Sequence, residues 1–139
     1  MARRNLSVQQ FQQLMARIPK VVSDELKLIP YEQAQVLADA MKAAAPVGRD
    51  ERRELRDSIR VEAGRRPLQA FVRAGGPTTT IISKQSGHPY DYAIANEFGT
   101  QHMVAQPFFW PVYRLMKRRI RAAMSRAARK AIAKVVPLK

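Results

Sequence analysis

The segment Pro107-Phe108-Phe109-Trp110-Pro111 constrains this chain more than any other. Three consecutive aromatics stand between two prolines. Each aromatic that becomes buried removes roughly 150–250 Å² from water. The prolines fix φ at both ends and lower the entropy cost of holding the segment still. The pattern predicts an anchored apolar plug and not a solvated loop. Just upstream, the apolar piece Tyr92 to Ile94 leads into Glu97-Phe98-Gly99-Thr100. Glycine at position 99, where an apolar segment must turn into a short loop, predicts either φ > 0 or close approach of another piece of chain. Together, Tyr92, Glu97, Phe98, Gly99, Thr100, Pro107, Phe108, Phe109, Trp110 and Pro111 read as a packing and assembly element.

The rest of the chain supplies elements for such a plug to pack against. Ser7 is a candidate N-cap, followed at helical spacing by Val8, Phe11, Leu14, Met15 and Ile18. Pro19 is expected to break or offset that helix. Lys20 to Ile29 reads as a second helical piece, and Pro30 permits a restart. Tyr31 to Ala45 is a helix with Ala34, Leu37, Ala38, Met41 and Ala45 in one stripe, stopped by Pro46 and Gly48. Arg49 to Arg56 mixes both charge signs and reads as a solvated connector or a first helical turn.

From Leu55 the period changes. Ile59, Val61 and Ala63 alternate with Arg60 and Glu62, the signature of a half-buried strand. Leu68 to Ala74 predicts a second strand, ended by Gly75-Gly76-Pro77, and β-branched Thr78 to Ser83 a third. Tight turns between them suggest an antiparallel meander. The chain of 139 residues is long enough for one domain with a core. The expected class is α+β, with N-terminal helices and a long C-terminal helix packed on a small antiparallel β-sheet. Within that single domain, 1–45 is the helical region, 55–83 the meander, 90–110 the plug region and 111–135 the C-terminal helix.

That last helix should open at Pro111, with Val112, Met116, Ile120, Ala123, Ala127 and Ala131 recurring at steps of three or four. Val112 to Lys134 would span about 35 Å. Its other faces carry Arg114, Lys117, Arg118, Arg119, Arg121, Arg126, Arg129, Lys130 and Lys134. The net charge of +14 is unevenly placed: residues 98–139 contain 10 Lys or Arg and no acid, and all 11 acids lie earlier. A helix that gains from Glu–Lys pairs has none here. Arg114, Lys117, Arg118, Arg121, Arg126, Arg129 and Lys130 are therefore candidate contacts to an anionic partner, either nucleic acid or an acidic protein surface.

Catalytic and metal-binding patterns are missing from the sequence. There is no cysteine, so no disulfide or thiolate site is expected. His88 and His102 fall in predicted loops without a second ligand at metal spacing. Gly75-Gly76-Pro77 lacks the Gly-Lys-Ser/Thr of a phosphate loop, and no serine sits in an elbow motif. Glu97 beside Phe98 reads as a capping or ion-pairing carboxylate. Arg3 and Arg4 precede no apolar run, so no signal peptide is expected, and no run approaches the roughly 20 apolar residues of a membrane span. No cofactor, catalytic residue or membrane partner is expected.

The order of these features resembles a family of small tail-component, or tail-completion, proteins of long-tailed bacteriophages, which act at the head–tail junction. The resemblance rests on Ala45-Pro46, Gly48, Leu55-Arg56-Asp57-Ser58-Ile59, Tyr92-Ala93, Glu97-Phe98-Gly99-Thr100 and Ala105-Gln106-Pro107-Phe108-Phe109-Trp110-Pro111, and covers roughly residues 34–115. It departs from the family where Arg49 to Glu54 intervene between Gly48 and Leu55, and the basic tail is not part of it. The resemblance implies a structural virion protein of the neck, made in the host cytoplasm and placed at the head–tail interface. It would form a homo-oligomeric ring, hexameric by family symmetry, that completes the tail or connects it to the head. Its neighbours would be neck, tail-terminator or tail-tube proteins, with DNA in the channel. The alternative from the residues alone is a small basic nucleic-acid-binding protein that uses the C-terminal helix. A small nuclease is the third and weakest reading.

Overall fold

The computed structural model describes residues 7–47 and 54–136 of the chain. Helix α1 (Val8–Leu26) begins at Ser7 as the sequence predicts, with a reciprocal cap: the Ser7 hydroxyl accepts the Gln10 N–H at 3.2 Å, and the Gln10 side chain accepts the Ser7 N–H at 3.0 Å. The break expected at Pro19 does not occur, and one helix runs through it. Pro19 lies on the exposed side, while half-buried Leu14, Ile18, Val21 and Val22 and buried Leu26 continue one apolar stripe towards the C-terminal helix. Packing along that stripe outweighs the loss of one backbone hydrogen bond.

Helix α2 (Ile29–Ala44) restarts with Pro30 in its first turn. It buries Ala34, Leu37, Ala38 and Met41, with Ala45 buried just beyond the end. The Arg56 guanidinium donates to the Ala45 carbonyl at 3.1 Å, satisfying one of the acceptors a helix end leaves free. Gly48, expected to help stop this helix, and Arg49 to Arg53 of the charged connector lie outside the described residues. The connector emerges as the single turn α3 (Glu54–Asp57), which buries Leu55.

Strands β1 (Arg60–Ala63) and β2 (Ala70–Arg73) pair antiparallel, with Val61 opposite Val72 and Glu62 opposite Phe71. Glu62 lies between Arg60 and Arg73, at 2.9 and 2.7 Å. This ribbon packs on α2. The expected third strand exists as β3 (Thr80–Ile82), but it does not extend the meander. It pairs instead with β4 (Pro89–Asp91), giving two separate two-stranded antiparallel sheets.

The reason lies at the turn after β2. Gly75 and Gly76 adopt φ of 89° and 135°, and side chains take the backbone groups a continuing ladder would use. Ser58 Oγ accepts the Gly75 N–H at 3.0 Å, Arg60 donates to the Gly75 carbonyl at 2.8 Å, and Asp91 accepts the Gly76 N–H at 3.0 Å. Pro77 has no N–H to offer.

After β4 comes helix α4 (Tyr92–Phe98), which the sequence reading treated only as an apolar piece. Helix α5 (Trp110–Val135) closes the chain and packs against α1 and α2. The core is one cluster: Leu37, Ala38 and Met41 from α2, Ala45 just after it, Leu55, Ile59, Ala93, and Phe108 from the plug. Val112, Met116 and Ile120 of α5 pack on its edge. The α+β class is as expected, with two small ribbons in place of one sheet.

Candidate assembly surfaces and cationic helix

The plug and Glu97 form one unit. The Glu97 side chain is buried and accepts three consecutive backbone N–H groups, from Phe108 at 2.8 Å, Phe109 at 2.9 Å and Trp110 at 3.0 Å. These amides lead into α5, whose N-cap residue Phe109 makes no side-chain cap of its own. Glu97 therefore serves as the N-terminal cap of a 26-residue helix from a different element. It supplies acceptors for orphan donors and negative charge at the positive end of the helix dipole. The sequence reading of Glu97 as a capping group holds, although the amides it caps are 11 to 13 residues away.

Asp91 does a similar job for α4. One carboxylate oxygen accepts the Ala93 N–H at 2.9 Å, and the other holds Gly76. Gly99 ends α4 at φ 77° and ψ 175°. A Cβ at Gly99 would stand 3.0 Å from both the Ala105 nitrogen and the Met103 carbonyl oxygen. Both properties expected of Gly99, positive φ and close approach of chain, are present. Thr100 and Met103 bridge each other across the following turn, and Gln106 donates to the Asn96 carbonyl at 2.7 Å, so the return to the plug is tied down. Tyr92 donates its hydroxyl to Glu54 at 3.1 Å.

The plug itself differs from expectation. Only Phe108 is buried, at 1% exposure; Phe109 is half-buried and Trp110 is 46% exposed. The three rings and Tyr113 form an edge-to-face series, with centroids 6.4, 5.5 and 5.9 Å apart. The series leads outwards from the core, because Trp110 is already the first residue of α5 and the helix axis carries it to the surface. Phe98 is 67% exposed, and with Ile94 at 61% it makes an uncovered apolar pair one turn apart on α4. A second uncovered stripe lies on α1, where Val8, Phe11 and Met15 are more than half exposed.

On α5, the predicted stripe Val112, Met116, Ile120, Ala123, Ala127 and Ala131 is half-buried or buried throughout. Among the described residues, no carboxylate lies within ion-pair distance of Arg114, Lys117, Arg118, Arg119, Arg121, Arg126, Arg129 or Lys130. Lys134 is the exception, bound to Glu25 of α1 at 2.7 Å. Helical spacing divides the candidate contacts into two patches: Arg114, Lys117, Arg118 and Arg121 share one face of the first half, and Arg126, Arg129 and Lys130 cluster in the second.

His88 and His102, apart in sequence, line one cavity of about 670 Å³ with Tyr90 and Asn96, and no Asp, Glu or Cys lines it. Among the described residues, no group of three or more His, Cys, Asp or Glu side chains is placed to hold a metal ion. No described helix is long and apolar enough to cross a membrane.

Sequence reasoning missed α4, its exposed Ile94–Phe98 pair and the contacts of Ser58 with Gly75 and of Asp91 with Gly76. A signal for α4 was available, since Asp91 and Gly99 bracket it as N-cap and C-cap residues. No protein-family model matches the chain, and neither the curated proteins nor the solved structures include a match to it.

Proposed function

We propose that the chain is a non-catalytic structural subunit of a ring at the head–tail junction of a long-tailed bacteriophage. The observation that carries this reading is the pair of uncovered apolar faces on one chain, Val8–Phe11–Met15 on α1 and Ile94–Phe98 on α4. A closed ring repeats one heterologous contact, which requires two different faces on each subunit. The rigid seat of α4 and α5 on the Glu97 cap suits a subunit that must present such faces in fixed relation. The resemblance in Glu97-Phe98-Gly99-Thr100 and the Pro107–Pro111 plug supplies the biological setting. In that setting the ring lies in the virion beside neck, tail-terminator or tail-tube proteins and surrounds DNA. Light scattering and negative-stain images of the purified protein, alone and with those neighbours, test the reading. Discrete rings are expected, six-fold by family symmetry. A chain that stays monomeric with every neighbour sinks the proposal.

The second reading, a nucleic-acid-binding protein, is favoured by the run of α5 cations from Arg114 to Lys130, none of which has a carboxylate partner among the described residues. Affinity for duplex DNA would then fall steeply with salt, with a log–log slope set by the number of phosphates contacted. A shallow slope together with ring assembly separates the first reading from the second.

A further inference from the structure

A groove of about 490 Å³ runs between α2, β2 and the first half of α5. Its walls include Leu68, Phe71, Met41, Trp110, Tyr113 and Met124, and none of its lining residues is charged. Four of these, Leu68, Phe71, Trp110 and Tyr113, remain 36–46% exposed. On α5 the lining residues interleave with cations. Trp110, Arg114, Lys117, Arg121 and Met124 recur at steps of three and four, so the apolar wall and Arg114, Lys117 and Arg121 share one side of the helix. None of these three cations has a carboxylate partner among the described residues.

The backbone at Leu68 is a second, independent observation. Leu68 adopts φ 64° and is the one described non-glycine residue at positive φ. A side chain there costs about 1–2 kcal/mol, and such strain persists where surroundings impose it, often at ligand clamps. At Leu68 the strain directs an apolar side chain into the groove wall.

We infer that this groove docks an amphipathic helix of a partner protein, apolar on one face and flanked by Asp or Glu. Charge selects this occupant. A second copy of the chain would bring its own excess of cations to Arg114, Lys117 and Arg121, and its exposed α1 stripe lies in a helix with no acid before Asp24. Duplex DNA matches the cations, but its bases are stacked and paired inside the helix and cannot fill a wall of Leu, Phe, Met and Trp. An acidic amphipathic helix satisfies both, its apolar side chains filling the groove and its carboxylates meeting the cationic rim. Trp110 to Met124 spans about 21 Å of helix, so the matching segment is about 14 residues long. The inference stands apart from the ring reading, since a monomer could dock the same helix.

Trp110 is the only tryptophan in the chain and reports on the groove directly. The full-length protein is titrated with a synthetic amphipathic helix of about 14 residues bearing Leu on one face and Glu on its flanks. The same helix with Lys flanks and a short DNA duplex serve as the other two probes. The Glu-flanked helix should saturably blue-shift Trp110 emission, while the Lys-flanked helix and DNA should not. Arg114→Gln, Lys117→Gln and Arg121→Gln combined should weaken binding about tenfold or more. Arg126→Gln, Arg129→Gln and Lys130→Gln combined, in the other patch, should leave it nearly unchanged. Leu68→Gly should weaken binding without lowering thermal stability, because it removes a wall side chain and relieves strain together. Equal response to both flank types, equal loss from both cationic patches, a blue shift by DNA, or a blue shift that follows self-association would each overturn the proposal.

Discussion

The Glu97 carboxylate accepts the Phe108 N–H at 2.8 Å and, through the same oxygen, the Phe109 N–H at 2.9 Å. This contact joins the end of α4 to the start of α5 and sets the one large aromatic of the core, Phe108, in its place. The segment is therefore a cap and a core residue held together, with Trp110 left at the surface.

Replacing Glu97 tests the cap. Glu97→Gln keeps the shape, but its amide NH2 must face an N–H donor. The loss should be about 1–3 kcal/mol, the cost of a buried donor left without an acceptor. Glu97→Ala removes all three acceptor contacts and should cost more. Urea titration measures both, and a Glu97→Gln protein as stable as the parent would rule out the cap as a stabilising element.

The plug residues should separate sharply. Phe108→Ala should cost about 3–5 kcal/mol, as for a fully buried Phe. Trp110→Ala loses an exposed ring and its edge contacts with Phe109 and Tyr113, so about 1–2 kcal/mol is expected. Equal losses at the two positions would contradict the outward-leading arrangement of the rings.

Gly99→Ala should destabilise by at least about 1–3 kcal/mol from backbone strain alone, with the 3.0 Å approaches of Met103 and Ala105 adding to it. Gly87 serves as the control: its φ is also positive, at 68°, but a Cβ there meets nothing within 4 Å. Thermal melts of the two alanine variants should rank Gly99→Ala well below Gly87→Ala. The reverse ranking would mean that the turn after α4 adapts freely.

Pro19→Ala should raise stability. It restores a backbone N–H inside α1 and removes a clash with the preceding turn; an interior proline costs about 3 kcal/mol in an isolated helix. The proline also restricts the unfolded chain, which offsets part of that cost, so about 1 kcal/mol or more is expected. Far-UV circular dichroism and melting temperature report it, and a lower melting temperature would show that the proline serves α1 in some other way.

Phe11→Gln with Met15→Gln, and separately Ile94→Gln with Phe98→Gln, should leave the monomer's stability within about 0.5 kcal/mol, as for exposed positions. Each pair should abolish ring assembly if the two faces meet between subunits. Assembly at parental levels in both variants would remove the basis of the ring proposal.

Elements governed by local periodicity were legible in the sequence. The stripe Ala34–Leu37–Ala38–Met41 and the alternation around Val61 define α2 and β1, because burial repeats at the period of the element that carries it. The Ser7 cap, the start of α5 near Pro111 and the special backbone at Gly99 were legible too, since each depends on what one residue type can do at one position. What only the tertiary structure decided are the contacts between segments distant in the chain. Pro19 stays helical because α5 supplies the packing that local propensity lacks. β3 leaves β2 for β4 because Ser58, Arg60 and Asp91 occupy the backbone groups of Gly75 and Gly76. Trp110 lies at the surface and not in the core because α5 begins at that residue, and its start is set by Glu97. Hydrogen-bond partners 11 to 17 residues apart leave no periodic trace, so the same residues that read as an apolar plug in sequence become, once folded, the capped junction between two helices.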